Sequence, residues 1–293
     1  MADAVGNKNS KEFHLDKKPI LSGFHVKGLN HNDWGMKTRL SKIFDEKSRN
    51  SVILAFDHGY IMGPTSGLER LDIAVPPLLP YIDVLMATRG GLRSCISPAC
   101  GKGIALRCTA GRSVLDEDMS NELKVVDIDE VIRMNASCMA IQVFIGSKNQ
   151  HENLKGLNQA VNEGMRYGIP VMGVVAVGKE MSRTKEYFLL ATRMIAEFGA
   201  HIIKTYYCEG FEEIVAACPV PIVVAGGKKV SEKDALNLTY KAIKAGARGV
   251  DMGRNIFQAE NPVAMAEAVN LIVHKGYTDE KAYEVYLKNK LNY

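Results

Sequence analysis

No stretch of the chain approaches the roughly 20 consecutive apolar residues that a membrane-spanning helix requires. The N-terminal segment MADAVGNKNSKEFHLDKK has no apolar centre of the kind a secretory signal needs. Excess charge of one sign is small: 37 basic residues are mixed with 33 acidic ones, for a formal net charge of +4. Without a basic run or an arginine-rich segment there is no electrostatic footprint for nucleic acid. Six cysteines are present, at Cys95, Cys100, Cys108, Cys138, Cys208 and Cys218. None forms a C-x-x-C pair, and no His/Cys cluster has metal-ligand spacing. These absences predict a cytoplasmic protein with reduced thiols, no metal, and neither nucleic acid nor membrane as partner. Cys208 stands apart only because it follows Lys204 by four residues.

What is present is a rhythm. After a polar arm over residues 1–32, DWGMKTRLSKIF reads as a helix, with Asp33 as N-cap and Trp34, Met36, Leu40 and Phe44 roughly on one side. Eight short apolar runs follow: SVILAFDHG, DVLMATRG, GIALRCTAG, CMAIQVFIG, IPVMGVVAVG, HIIKTYYC, PIVVAGGKK and GVDMGRNIF. Helix-like segments lie between most of them, among them NLKGLNQAVNEGMRYG, EYFLLATRMIAEFG and SEKDALNLTYKAIKAG, the last with Ser231 as N-cap. Near-continuous apolar strands alternating with amphipathic helices predict a parallel sheet covered by helices. Eight such units predict a (β/α)8 TIM barrel over 51–293, preceded by an N-terminal arm and capping helix over 1–50. A doubly wound open sheet is the other arrangement, disfavoured because the first strand does not lead into G-x-G-x-x-G.

Barrel chemistry sits at the C-terminal ends of the strands. Those ends supply Asp57 and His58, Arg89, Arg107, Lys148, Lys179, Lys204, Gly226-Gly227-Lys228 and Gly253-Arg254-Asn255. Asp57 is nearly the only acid among them, so the mouth is expected to be cationic and to attract an anion. Glycines just beyond the seventh and eighth runs let backbone N–H groups approach a phosphate, which assigns Gly226, Gly227, Gly253 and Arg254 to an anion site. Lys204 interrupts an apolar run and shares a strand face with Tyr206. If that face is the barrel interior, loss of hydration and neighbouring cations favour a neutral amine able to attack a carbonyl carbon. Asp57 is then placed to move protons.

AFDHG, IIKTYY, AGGKK and MGRNIF resemble motifs of the class I aldolases of the archaeal fructose-bisphosphate aldolase type. DWGM, FDHGY, GLER, TRGGLRS, QVFIGS and GVDMGRNIFQ resemble the thiolase branch of that family, over roughly residues 24 to 287. The resemblance implies Lys204 as imine lysine and Asp57 and His58 as active-site residues. It likewise implies Gly226, Gly227, Gly253 and Arg254 as the phosphate site. It further implies an acyltransferase that moves acetyl from a phosphorylated dione to coenzyme A, in breakdown of the quorum-sensing signal autoinducer-2. Coenzyme A enters as co-substrate and there is no resident cofactor; the assembly implied is a ring-like homo-oligomer, a decamer of two pentamers. One departure separates the chain from the aldolases. Their fifth strand carries an acid/base tyrosine, whereas VMGVVAVGKE has no aromatic residue.

Three other readings stand beside this one: a class I Schiff-base aldolase acting on a phosphorylated sugar, a metal-dependent barrel lyase, and a phosphosugar sensor without turnover. The terminal segment DEKAYEVYLKNKL presents Tyr283, Tyr286, Leu287 and Leu291 at helical spacing, for either a subunit contact or packing on the barrel's own helices.

Overall fold

The structure, a computed structural model, describes residues 15–18, 23–177 and 182–291. Lys179 and much of the polar arm lie outside the described residues. Eight parallel strands, one in each apolar run, close into a barrel in chain order. They are β1 (Ser51–Ala55), β2 (Val84–Ala87), β3 (Gly103–Arg107), β4 (Cys138–Val143), β5 (Val171–Val175), β6 (Ile202–Tyr206), β7 (Ile222–Ala225) and β8 (Gly249–Met252). Closure by pairing of β1 with both β2 and β8 excludes the open sheet.

The burial pattern follows from that closure. A parallel strand covered by helices outside and side chains inside has no wet face, so β1, β2, β4, β5, β7 and β8 are buried throughout. β6 departs from this at Lys204 and Tyr206, which are only partly buried. Both lie on its axis side, where the barrel end is open.

The three long helices foreseen between strands are α4 (Gln150–Tyr167), α5 (Lys185–Glu197) and α7 (Glu232–Lys244). Each buries one stripe, as Leu157 and Ala160 do on α4. Ser231 caps α7 by accepting from the Asp234 N–H at 3.1 Å. Shorter helices are α2 (Arg89–Cys95), α3 (Ile128–Arg133), α6 (Phe211–Ala217) and α8 (Arg254–Phe257), followed by α9 (Pro262–Lys275) and α10 (Asp279–Asn289).

The first helix, α1 (Trp34–Leu40), is capped by Asp33, whose carboxylate accepts from the Met36 N–H at 2.8 Å. It is shorter than expected, and Trp34 does not join Met36, Leu40 and Phe44. Those three are buried, whereas Trp34 is 81% exposed at the first helical position. Arg39 donates to the Gly168 carbonyl just beyond α4 at 3.1 Å. That contact seats α1 against a helix-to-strand turn, on the face of the barrel opposite the strand C-termini.

On α10, Tyr286 is buried and packs on the barrel's own helices, while Leu287 and Leu291 remain exposed. Among the described residues no helix is long and apolar enough to cross a membrane.

Candidate active site

Strand register decides which side chains meet on the axis. Lys204 lies opposite Val174 on β5 and Val223 on β7. Asp251 lies opposite Ile53 on β1 and Ala225 on β7. Side chains alternate between the two faces of a strand, so these positions share the interior. There Lys204 Nζ stands 2.9 Å from Asp251 Oδ2 and 3.2 Å from the sulfur of Met86, which projects inward from β2.

This corrects the electrostatic expectation. The nearest charged neighbour of Lys204 is a carboxylate, and Asp57 is not the lone acid of the site. Burial pushes the Asp251 carboxyl up to about 6, against the opposing pull of the Lys204 ammonium. Lys204 Nζ is the donor within reach of its oxygens, and among the described residues no other donor is aimed at them.

A second group of charges surrounds Arg107, at the end of β3. Its guanidinium donates to the Thr109 carbonyl at 3.1 Å, to Asp57 Oδ2 at 3.2 Å and to both oxygens of Glu122 at 2.9 and 3.2 Å. It also reaches the Tyr60 hydroxyl and Gln142 Oε1. Burial opposes the charge of Arg107, but Glu122, Tyr60 and Asp57 outweigh it and hold the guanidinium above the usual arginine range. Arg107 therefore organises acids and is not a free cation awaiting substrate. The Tyr60 phenol is pushed upward by burial and donates to Glu122.

His58 stacks on Phe257 at 5.5 Å, and its Nε2 is 3.1 Å from the Thr65 hydroxyl. Burial lowers its basicity, with Asp57 pulling the other way and the charges of Arg254 and Lys204 adding to the lowering. The ring is thereby biased toward neutral imidazole, a form able to take up or pass on a proton.

The loops after β7 and β8 are tied together. Arg254 donates to the Gly227 carbonyl at 2.9 Å, and Asn255 donates to the carbonyls of Gly226 at 2.7 Å and Lys228 at 3.2 Å. Gly227 has φ +72°, where a side chain is strained, and a Cβ on Gly253 would stand 2.4 Å from the Ala55 carbonyl oxygen. Glycine is required at both places for backbone reasons, and both border the same open space.

That space is a cavity of about 410 Å3 at the C-terminal end of the barrel. The seven residues given catalytic or phosphate roles from sequence line it: Asp57, His58, Lys204, Gly226, Gly227, Gly253 and Arg254. Arg107 also lines it. Arg89, Lys148 and Lys228 do not; Lys148 pairs with Asp118 at 3.2 Å instead. Sequence reasoning passed over Asp251, Gln142 and Arg112, which also line the cavity. Asp251 and Gln142 carried the same signal as Lys204, a polar residue inside an apolar run. Among the described residues no group of three or more His, Cys, Asp or Glu side chains could hold a metal ion. All six cysteines are free thiols, and burial pushes Cys108 up to about 12.

Comparison with known proteins agrees with this geometry. Residues 51–259 match the DeoC/LacD family aldolase. The chain is 53% identical over 291 residues to the 3-hydroxy-5-phosphonooxypentane-2,4-dione thiolase of Salmonella typhimurium strain LT2, covering 99% of this chain and 100% of that one. The protein of the same name from Photorhabdus laumondii is 52% identical, with the same coverage. Among solved structures, an archaeal fructose 1,6-bisphosphate aldolase superposes with a TM-score of 0.74 at 24% identity, over 82% of this chain and 100% of that one, a likeness of fold. The chain belongs to the DeoC/LacD aldolase family.

Proposed function

We propose that the chain is an acyltransferase of the thiolase type, cleaving 3-hydroxy-5-phosphonooxypentane-2,4-dione with coenzyme A to give acetyl-CoA and dihydroxyacetone phosphate. The observation that carries this reading is identity of 53% across essentially the whole length of a relative named for that thiolase activity. In support, an amine, acids and a glycine-lined mouth all face one cavity.

Lys204 condenses with the ketone beside the CH2-phosphate, releasing water and leaving an iminium. The thiolate of coenzyme A adds to the far ketone. Its tetrahedral oxygen collapses to the thioester carbonyl, and the electrons of the breaking carbon–carbon bond flow into the iminium to form an enamine. Protonation at carbon and hydrolysis of the imine free dihydroxyacetone phosphate and restore Lys204. Asp57 and His58 carry the protons at the thiol and enamine carbon. Gly226, Gly227, Gly253 and Arg254 hold the phosphate, where a charge-assisted contact is worth about 1.5–3 kcal/mol. Coenzyme A is consumed as co-substrate, and no resident cofactor or metal is required.

The same reading places the enzyme in the cytoplasm, in autoinducer-2 degradation, as a homo-oligomer; light scattering on the purified protein measures its assembly. The activity test is direct. The purified protein is given the phosphorylated dione with and without coenzyme A, and acetyl-CoA and dihydroxyacetone phosphate are measured. Both products should appear only with coenzyme A. Brisk cleavage of fructose 1,6-bisphosphate with no response to coenzyme A would defeat the thiolase in favour of an aldolase.

A further inference from the structure

We propose that Asp251 is a further catalytic residue, the proton carrier for imine formation at Lys204. The inference rests on the imine role of Lys204. Asp251 sits in a strand buried at every position, and its side chain is 0% exposed. A lone carboxylate there is costly, and its register neighbours Ile53 and Ala225 are apolar. Its ion partner is Lys204 Nζ at 2.9 Å, and it lines the cavity. Among the described residues no donor besides Lys204 is aimed at its oxygens, so the carboxylate is free to accept that proton.

Asp57 is differently placed. Its partner is Arg107, whose guanidinium keeps its protons. The partner of Asp251 is the group that must change protonation. At rest Lys204 Nζ is paired with Asp251 at 2.9 Å. Asp251 takes one proton from it, and the freed amine adds to the ketone. The carboxylic acid then returns that proton to the oxygen of the adduct. A second proton follows the same path from nitrogen to oxygen, and water leaves. Nitrogen retains one proton, giving the iminium, and Asp251 ends as it began. An ordinary carboxylic acid is a poor donor near neutrality, but burial pushes this one up to about 6. The charged or titratable groups acting on it are Lys204, Asp57, Arg107 and Cys138, with His58 near Asp57.

The test is the rate at which borohydride traps an adduct between the protein and dihydroxyacetone phosphate. In Asp251→Asn the adduct should still form on Lys204, slower by about 10²–10⁴-fold. In Asp251→Ala, added formate should restore part of the rate. In the unaltered protein the rate should fall as pH drops through about 6, because a protonated Asp251 cannot accept from the ammonium. That fall should persist in His58→Asn. A wild-type trapping rate in Asp251→Asn overturns the proposal. If neither Asp251 variant folds, a flat profile for the unaltered protein between about pH 5 and 8 overturns it equally. No adduct in the unaltered protein, or an adduct on another lysine, would instead remove the imine role of Lys204.

Discussion

Arg107 Nη1 and Asp57 Oδ2 lie 3.2 Å apart, an ion pair inside the barrel that links the end of β3 to the residues just past β1. Both side chains are nearly inaccessible to solvent, at 4% and 8%. The same guanidinium holds Glu122 and Gln142, so one side chain ties Asp57 and Gln142 of the cavity wall to the buried Glu122. Arg107→Met should therefore leave Asp57 buried without its counter-charge, and Glu122 with only the more distant Arg112 at 3.7 Å. Breaking a buried pair costs about 3–5 kcal/mol, readable as a lower urea midpoint. A loss under about 1 kcal/mol, the scale of an exposed pair, would show that the acids have another support.

Lys204→Met should abolish the trapped adduct and nearly all turnover. It also strands Asp251, whose folded-state pKa, already raised to about 6, must rise further. A carboxyl raised on folding favours the folded state at low pH and disfavours it as pH climbs through the raised value. The variant should thus match the parent's melting temperature near pH 5 and fall below it near pH 8. The ceiling on that loss is about 3–5 kcal/mol. Equal deficits at both pH values would contradict the pairing.

Arg254→Ala should raise KM for the phosphorylated substrate ten- to hundredfold, as expected for a charge-assisted contact of about 1.5–3 kcal/mol. Inhibition by inorganic phosphate should weaken in parallel. An unchanged KM with only kcat altered would move Arg254 away from the phosphate.

On β5, a Cβ at Gly173 would meet Ile195 of α5 at 2.2 Å, so that position faces the helices. Alternation then puts Val175 outward, and Val174 and Ala176 toward the axis. Ala176→Tyr should give measurable cleavage of fructose 1,6-bisphosphate, since an acid/base group is typically worth about 10²–10⁴-fold. Val175→Tyr should give none, and should cost stability by about 1–3 kcal/mol through overpacking. A gain in the Val175 variant alone would reverse the assignment of faces.

His201 is buried at the start of β6, where its Nδ1 accepts from the Val171 N–H at 3.2 Å. Burial pushes its pKa down to about 4, with His31 adding to the effect. A depressed folded-state pKa contributes stability that is full above the unfolded value of about 6.5 and lost as pH falls through about 4. The contribution is of order 3 kcal/mol. His201→Asn keeps an acceptor without the titration, so the variant should lose less stability than the parent between pH 7 and 4.5. Identical losses would assign the acid sensitivity elsewhere.

The eight strands were legible because a parallel barrel strand is buried on both faces, and the chain must spend apolar residues along its whole length. The glycines after β7 and β8 were legible for a backbone reason, since at Gly227 and Gly253 any side chain meets strain or a carbonyl. Trp34 misled because local periodicity places a residue on a helix face without saying whether anything covers that face.

The pairing of charges lay beyond linear reading. Lys204 and Asp251 are 47 residues apart, and only barrel closure and strand register bring them to 2.9 Å. Glu122 lies in the excursion between β3 and β4, whose path is set by packing and not by a repeating pattern. The sequence alone determined the barrel, and it singled out Lys204 and the end of the barrel where the candidate residues gather. Tertiary structure decided which acid meets that lysine, because Coulomb interactions depend on distance through space and closure sets those distances.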